Sequence, residues 1–179
     1  RRDKIIELST SLGAATAHWN DVAPGATSEA GGVPVPDIER TKKLAQTISE
    51  LMTPSTAQRM EEASILWVDD RPANNTYERQ ALEALGVQIT ISKSTEDALD
   101  RLQRKSYDVI LSDMSRPPDP QAGYTLLGKL KEMQITTPYI IYAGSRRPEH
   151  VAKAKAMGAF GTTNDPQELL ELVIQAVKK

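Results

Sequence analysis

Three aspartates stand where two apolar runs of the sequence end, and their spacing suggests metal chemistry. Asp69 and Asp70 follow directly on the run Ile-Leu-Trp-Val, and Asp113 follows the run Val-Ile-Leu-Ser. Adjacent like charges repel, by about 4 kcal/mol for a close pair at an effective dielectric near 20. Two things relieve such a cluster. One is proton uptake, which raises a carboxyl pKa, and the other is a divalent cation with oxygen ligands, typically Mg²⁺.

A plainer interpretation of these acids stays open. Single acidic residues commonly follow strands because they cap the next helix. Two adjacent acids at the end of one run and a third at the end of another fit a shared site better than three separate caps. The pattern therefore favours convergence of Asp69, Asp70 and Asp113, provided that the two strands are neighbours.

The elements that must position these acids alternate regularly between residues 64 and 179. Patterns typical of strands and helices follow one another, with Ser94 and Asp165 as predicted N-caps and Gly86 and Gly158 as predicted C-caps. This alternation predicts an α/β domain with a five-stranded parallel sheet and helices on both faces. Function in such sheets collects at the carboxyl ends of the strands. The predicted strands are 64–68, 87–91, 107–111, 138–143 and 159–163, and the predicted helices are 74–85, 95–104, 122–133, 147–157 and 166–178.

Residues 1–63 lack the alternation of strand and helix patterns and are predicted to form a helical extension of the domain at 64–179. One helical pattern, with Trp19 on its apolar stripe, precedes a flexible linker at 20–36 that is rich in Gly, Pro, Ser and Ala. A second pattern begins at Asp37 and should end near Thr53-Pro54. Two such helices cannot bury their stripes alone. Docking on the main domain or self-association is therefore expected, and a homodimer through these helices or through the last two helices is a hypothesis.

The composition excludes several classes of function. The 179 residues include no cysteine, so disulfides, thiolate zinc sites and cysteine nucleophiles are excluded. With only two histidines in the sequence, few Ser-His-Asp triads are possible. A net charge of −2 gives no general attraction to nucleic acid. No apolar run is long enough to span a bilayer and no signal peptide is visible. A cytoplasmic location is the expectation.

Residues 64–179 resemble the receiver domain, the phosphoacceptor module of two-component response regulators. The resemblance is carried by LWVDD at 66–70, ILSDM at 110–114, Pro117, TPYIIYAG at 137–144 and MGAFG at 157–161. It implies a flavodoxin-like fold with strand order 2-1-3-4-5. It also implies a signalling module that is not an enzyme, beyond self-phosphorylation from a phosphodonor.

The resemblance implies a role for each acid. Asp113 corresponds to the residue that accepts a phosphoryl group from a sensor histidine kinase. Asp69 and Asp70 correspond to Mg²⁺ ligands, and the backbone carbonyl of Ser115 completes the protein's ligands. No DNA-binding effector follows the domain in this sequence, so the expected output is an association with another signalling protein or with a second copy.

Three positions depart from the family pattern. The Thr or Ser expected after the fourth strand is Ala143, the Lys expected after the fifth strand is Asp165, and the aromatic switch position is Thr162. Gly123 lies ten residues past Asp113, which makes the intervening proline-rich loop longer than usual.

Nearby polar residues are candidates to compensate for the missing hydroxyl and cation. Ser145 offers a hydroxyl, and Arg146, Arg147 and Arg71 offer positive charge, although all three arginines also fit an ordinary solvated loop.

Three alternatives to an atypical phosphoacceptor remain open on the sequence. The domain could bind a metal without being phosphorylated, or act as a pseudo-receiver whose interactions do not depend on phosphate. The third is a Mg²⁺-dependent phosphatase that uses the acidic cluster, for which the sequence offers no second acid/base motif.

Overall fold

The computed structural model describes residues 38–144 and 147–179. The predicted first helix, the linker 20–36 and the predicted cap Asp37 lie outside the described residues, as do Ser145 and Arg146.

The core of the fold is one five-stranded parallel sheet with the order β2-β1-β3-β4-β5. Leu66 in β1 pairs with Thr90 in β2 on one side and with Ile110 in β3 on the other. The predicted order 2-1-3-4-5 is confirmed, and strands one and three are neighbours as the acidic cluster requires. The strands are β1 Ser64–Val68, β2 Gln88–Ser92, β3 Val109–Ser112, β4 Tyr139–Tyr142 and β5 Gly161–Thr163.

Helices connect the strands, and two further helices precede the sheet. A short 3₁₀ helix, Pro72–Asn75, replaces the start of the first predicted crossover helix, where the Asn75 side chain turns back to bind Asp69. The helices are α1 Ile38–Leu51, α2 Pro54–Glu62, α3 Thr76–Ala84, α4 Thr95–Arg104, α5 Ala122–Glu132, α6 Pro148–Ala156 and α7 Pro166–Lys178.

The predicted caps explain why these helices begin and end where they do. The Ser94 hydroxyl oxygen accepts a hydrogen bond from the Asp97 N–H at 3.0 Å, and Asp165 accepts one from the Gln167 N–H at 3.3 Å, with Pro166 as the first residue of α7. Gly86 has a φ of 97°, a left-handed conformation that only glycine adopts at little cost.

The sheet separates two apolar layers because side chains alternate along β1. Ile65 and Trp67 face α3 and α7, whereas Leu66 and Val68 face α4, α5 and α6. These four apolar side chains of β1 are each 3% exposed or less. Trp67 is therefore a core residue, as its place on the strand predicts.

The described part of the N-terminal extension docks on the domain. Ile48 in α1 is 2% exposed and Met60 in α2 is fully buried, and both join the apolar layer that contains Val173 and Ile174 of α7. Arg59 in α2 also donates a hydrogen bond to the carbonyl of Lys178. Residues 38–62 therefore find on α7 the apolar surface that they lack alone, while the division at residue 63 stays a prediction.

Within the part of the chain that the structure describes, no helix combines the length and the apolar character needed to cross a bilayer.

Candidate functional site

The three aspartates meet at the carboxyl end of the sheet. Each of Asp69, Asp70 and Asp113 offers a carboxylate oxygen, and these oxygens lie within 4.8 Å of one another. The backbone fixes this proximity, because the Asp113 N–H donates to the Val68 carbonyl at 3.0 Å. Both neighbouring strands thus deliver their acids to one point, as the sequence predicts.

The acids line a cavity of about 390 Å³ that opens at this edge of the sheet. Ser115 and Ala143, two further positions singled out from the sequence, also line it. The full lining is Asp69, Asp70, Arg71, Asn74, Asn75, Asp113, Met114, Ser115, Pro117, Tyr142, Ala143 and Gly144. The cavity is large enough for a hydrated cation and a phosphoryl group together.

Asp69 is the most buried acid of the three, at 8% exposure. Its Oδ1 accepts a hydrogen bond from the Arg71 N–H at 2.7 Å, and its Oδ2 accepts one from the Asn75 amide. Burial raises the pKa of Asp69, and these two hydrogen bonds oppose the rise. The carboxylate is therefore held in one orientation by groups that favour its charged form.

Asp113 lies beside a cation that sequence reasoning missed. Burial, followed by the charge of Asp69, raises the pKa of Asp113 to about 7, although the nearby Arg116 guanidinium opposes the rise. Arg116 is 4% exposed and forms an ion pair with Asp113 Oδ1 through its Nη1. The one sequence signal for this pair is that Arg116 lies three residues after Asp113. The signal is weak because the side chains of a proline-rich loop are more often solvated.

The loop after Asp113 folds back tightly onto the strand end. The Gly123 N–H donates to the Met114 carbonyl at 2.8 Å, and the buried Tyr139 hydroxyl donates to the Gly123 carbonyl at 2.8 Å. Arg116 and Asp119 pair through both of their backbone N–H groups across the intervening turn. This folding carries Arg116 inward, although the loop is long.

The positions that depart from the family pattern lie in different places. Ala143 lines the acidic cavity and also a neighbouring cavity of about 210 Å³, whereas Thr162 lines only the second of these two. The Asp165 carboxylate caps α7, so at this position the acid has a helix-capping role.

Of the candidate compensating residues, the structure describes Arg71, which lines the acidic cavity, and Arg147. Arg71 is an exposed side chain whose Nε lies 3.9 Å from Asp70 Oδ2, a weak surface pair. Arg147 is exposed at the start of α6. Ser145 and Arg146 are outside the described residues, so their predicted roles stay predictions.

Comparison with known proteins identifies the protein family in which this arrangement of acids occurs. The family profile described as "Response regulator receiver domain" matches residues 65–176. The chain is 32% identical over 117 residues to the sensor histidine kinase RcsC of Salmonella typhimurium, and 26% identical over 148 residues to a gliding motility regulatory protein of Myxococcus xanthus. It spans 12% and 18% of their lengths, and these matches cover 65% and 81% of the chain.

Solved structures give the same fold. The receiver domain of an HD domain-containing protein from Pseudomonas fluorescens superposes with a TM-score of 0.57 at 26% identity, covering 65% of this chain and 87% of that one. The chemotaxis response regulator CheY4 of Vibrio cholerae superposes with a TM-score of 0.56 at 24% identity, covering 64% of this chain and 98% of that one.

Proposed function

Because the chain belongs to the response regulator receiver domain family, we propose that Asp113 accepts a phosphoryl group and that the modified domain signals by changing its protein associations. The observation that carries this proposal is the convergence of three carboxylates from two adjacent strand ends. A sensor histidine kinase is the proposed donor of the phosphoryl group, and a cytoplasmic location is proposed with it.

The acidic cluster has the chemistry of a magnesium site. Its donors are all oxygen atoms, which is the ligand type that Mg²⁺ prefers. Three carboxylates face one buried guanidinium, so net negative charge remains for a cation to neutralise. We propose that Asp69, Asp70, Asp113 and the Ser115 carbonyl hold the ion. When bound, Mg²⁺ neutralises charge on the phosphoryl oxygens during transfer.

The chain's own residues supply the nucleophile and its alignment. In the proposed step an Asp113 carboxylate oxygen forms a bond to phosphorus, and the bond from phosphorus to the donor's nitrogen or oxygen breaks. The product is an acyl phosphate on Asp113. Positioning and charge neutralisation dominate phosphoryl transfer, so the fixed orientation of Asp69 and the backbone anchoring of Asp113 support this role.

Incubation with acetyl phosphate and Mg²⁺ tests the proposal directly. We expect intact mass spectrometry to detect one added phosphoryl group on the wild-type chain and none on Asp113→Asn. Hydroxylamine should remove the group, because it cleaves acyl phosphates. Asp100→Asn, which makes the same change on an exposed face of α4, is the matched control and should be phosphorylated like the wild type.

A phosphate-independent pseudo-receiver is the rival function, and specific residues favour it. Ala143 lines the cavity without a hydroxyl, and the carboxylate of Asp165 caps a helix where the family pattern expects a lysine. The rival predicts no adduct with acetyl phosphate and no response to beryllofluoride, a mimic of the phosphoryl group. Identical partner binding by the wild type and Asp113→Asn would establish it.

A further inference from the structure

Resting on the proposed function, we propose that Arg116 is the positioning cation of this site, supplied from the loop between β3 and α5 in place of the lysine that the family pattern expects at residue 165. Asp165 caps α7, and the three arginines singled out from the sequence lie in exposed or undescribed positions. Among the described residues, Arg116 is the guanidinium that is both buried and paired with the acceptor.

The contacts of Arg116 hold its guanidinium in one place. Nη1 donates to the Ser112 hydroxyl oxygen at 2.8 Å and to Asp113 Oδ1, and Nη2 donates to the Thr95 hydroxyl oxygen at 2.9 Å and to the Ala122 carbonyl at 3.2 Å. These four bonds use all four Nη hydrogens. The side chain is thus preorganised by three elements of the fold, β3, α4 and α5.

The ion pair with Arg116 gives the two carboxylate oxygens of Asp113 different roles. Oδ1 of Asp113 is held by Arg116, so Oδ2 is the oxygen left to bond phosphorus. In the acyl phosphate that forms, Oδ1 becomes the carbonyl oxygen and keeps its hydrogen bond from Nη1, while the leaving group departs with the electrons of the broken bond. Arg116 neither gains nor loses a proton. Its role is to aim the carboxylate and to offset charge in the crowded site.

A positioning role and a purely structural role predict different effects of Arg116→Gln. Removing a cation beside three carboxylates should strengthen Mg²⁺ binding, by about threefold or more, because cation–cation repulsion is lost. Removing the hydrogen bond that aims Asp113 should slow phosphorylation by about 10- to 100-fold. A structural defect would weaken both properties together.

The experiment measures both properties on the full chain, with Mg²⁺ affinity taken from calorimetry and the rate from the mass adduct with acetyl phosphate. We expect tighter Mg²⁺ binding and slower phosphorylation for Arg116→Gln. Arg104→Gln, which removes an exposed arginine on α4, is the matched control and should change neither. Thr95→Val loosens the anchor of Nη2 without changing charge. It should slow phosphorylation while leaving the Mg²⁺ affinity unchanged. This variant tests the positioning role if Arg116→Gln fails to fold.

A second-site change tests whether the two positions are interchangeable. Asp165→Lys on the Arg116→Gln background should recover at least part of the lost rate, because it returns a cation to the edge of the sheet. Asp165→Asn on the same background loses the acidic side chain without adding a cation and should not recover it.

Other results overturn the proposal. A folded Arg116→Gln that is phosphorylated as fast as the wild type, or faster, excludes the positioning role, and a faster rate would identify Arg116 as a competitor of the phosphoryl group. Loss of Mg²⁺ binding and phosphorylation together would reduce Arg116 to structural support. Absence of an adduct on the wild type overturns the proposed function and this inference at once, whereas an adduct unaffected by Arg116→Gln or Thr95→Val overturns this inference alone.

Discussion

Gly123 lies directly against the backbone of Asp113. A Cβ atom built on Gly123 would sit 2.6 Å from the Asp113 carbonyl oxygen and 3.2 Å from the Cα of Met114. Contacts this short with backbone atoms cannot be relieved by rotating a side chain. The first turn of α5 therefore reaches the candidate acceptor only because residue 123 has no side chain.

Gly123→Ala should damage both stability and the site. We expect the free energy of unfolding to fall by about 1–3 kcal/mol, as for other forced overpacking, and Mg²⁺ affinity to fall because Asp113 is displaced. Denaturant unfolding and calorimetry measure the two effects. Gly128→Ala is the matched control on the same helix, where a Cβ would meet nothing within 4 Å. It should be neutral or stabilise by about 0.5–1 kcal/mol. Equal stability of the two variants would contradict the close contact.

Mg²⁺ should raise the thermal stability of the wild type, because a ligand that binds only the folded state stabilises it by mass action. The gain is about 2.7 kcal/mol when the ion is present at a hundred times its dissociation constant. Asp70→Asn should abolish most of this gain, since it removes one of three carboxylates while leaving the pair between Arg116 and Asp113 in place. Thermal unfolding with and without Mg²⁺ measures the difference.

Asp100→Asn controls for the lost charge in that comparison, because Asp100 is exposed and pairs with Arg104 away from the cluster. A Mg²⁺ response that is equal in wild type, Asp70→Asn and Asp100→Asn would argue against a site at the acidic cluster.

The main features of the fold and cluster were predictable because they depend on local signals. Alternating apolar runs, a serine cap at Ser94 and an Asp-Pro start at residue 165 each act over a few residues, and the structure follows them closely. Adjacency of β1 and β3 then brings the acids together by topology alone.

Arg116 was not predictable in the same way. Its burial depends on a loop that folds back through Gly123 and on hydrogen-bond acceptors supplied by Thr95 and Ala122. No local sequence pattern around Arg116 indicates either of these acceptors. The docking of α2 was only half predictable, because an apolar stripe indicates that a partner is needed without indicating which surface supplies it.

The stability of the metal-free protein should decline as pH rises through the acidic range. Burial raises the pKa of both Asp113, to about 7, and Asp69, from an ordinary value of 3.8. The folded state therefore holds more protons than the unfolded state between about pH 4 and pH 7, and the free energy of unfolding falls across that window. We expect a decline of about 2 kcal/mol from pH 5 to pH 7.5 in the presence of a chelator.

The slope, and not the absolute stability, is the quantity to compare between variants. Asp113→Asn removes the titrating carboxyl and also leaves Arg116 without its carboxylate partner, so the absolute stability of this variant changes for two reasons. The slope of its free energy of unfolding against pH should nevertheless be much flatter than that of the wild type. Asp97 has a lowered pKa, owing first to its hydrogen bond from Ser92, and affects stability only below about pH 4. A wild-type profile that rises from pH 5 to pH 7.5 would contradict the raised pKa values.

Met60 should matter to the whole domain although it lies in the extension. Its side chain is fully buried in the layer that contains Leu170 and Val173 of α7. Met60→Ala should lower the free energy of unfolding by about 2–5 kcal/mol, as other large-to-small core substitutions do. Gln58→Ala, on the exposed face of α2, should change it by about 0.5 kcal/mol or less. A Met60→Ala variant as stable as the wild type would indicate that α2 is not part of the core.

The docking of α1 and α2 also determines how association should be tested. A chain cut at residue 64 would uncover the apolar surface of α7 that Ile48 and Met60 contact, and new association of that fragment would be uninformative. The comparison should use the full chain and residues 38–179, which keep both docked helices.

If the apolar stripe of residues 5–19 mediates a homodimer, light scattering should give twice the monomer mass for the full chain and a monomer for 38–179. Leu8→Asp, in the centre of that stripe, should dissociate the full-length dimer because it buries an unpaired charge, whereas Lys4→Gln changes a charged position of the same segment and should not. Beryllofluoride should shift this equilibrium in the wild type but not in Asp113→Asn if phosphorylation controls it. Equal monomer masses for both chains, with and without beryllofluoride, would exclude association through residues 1–37.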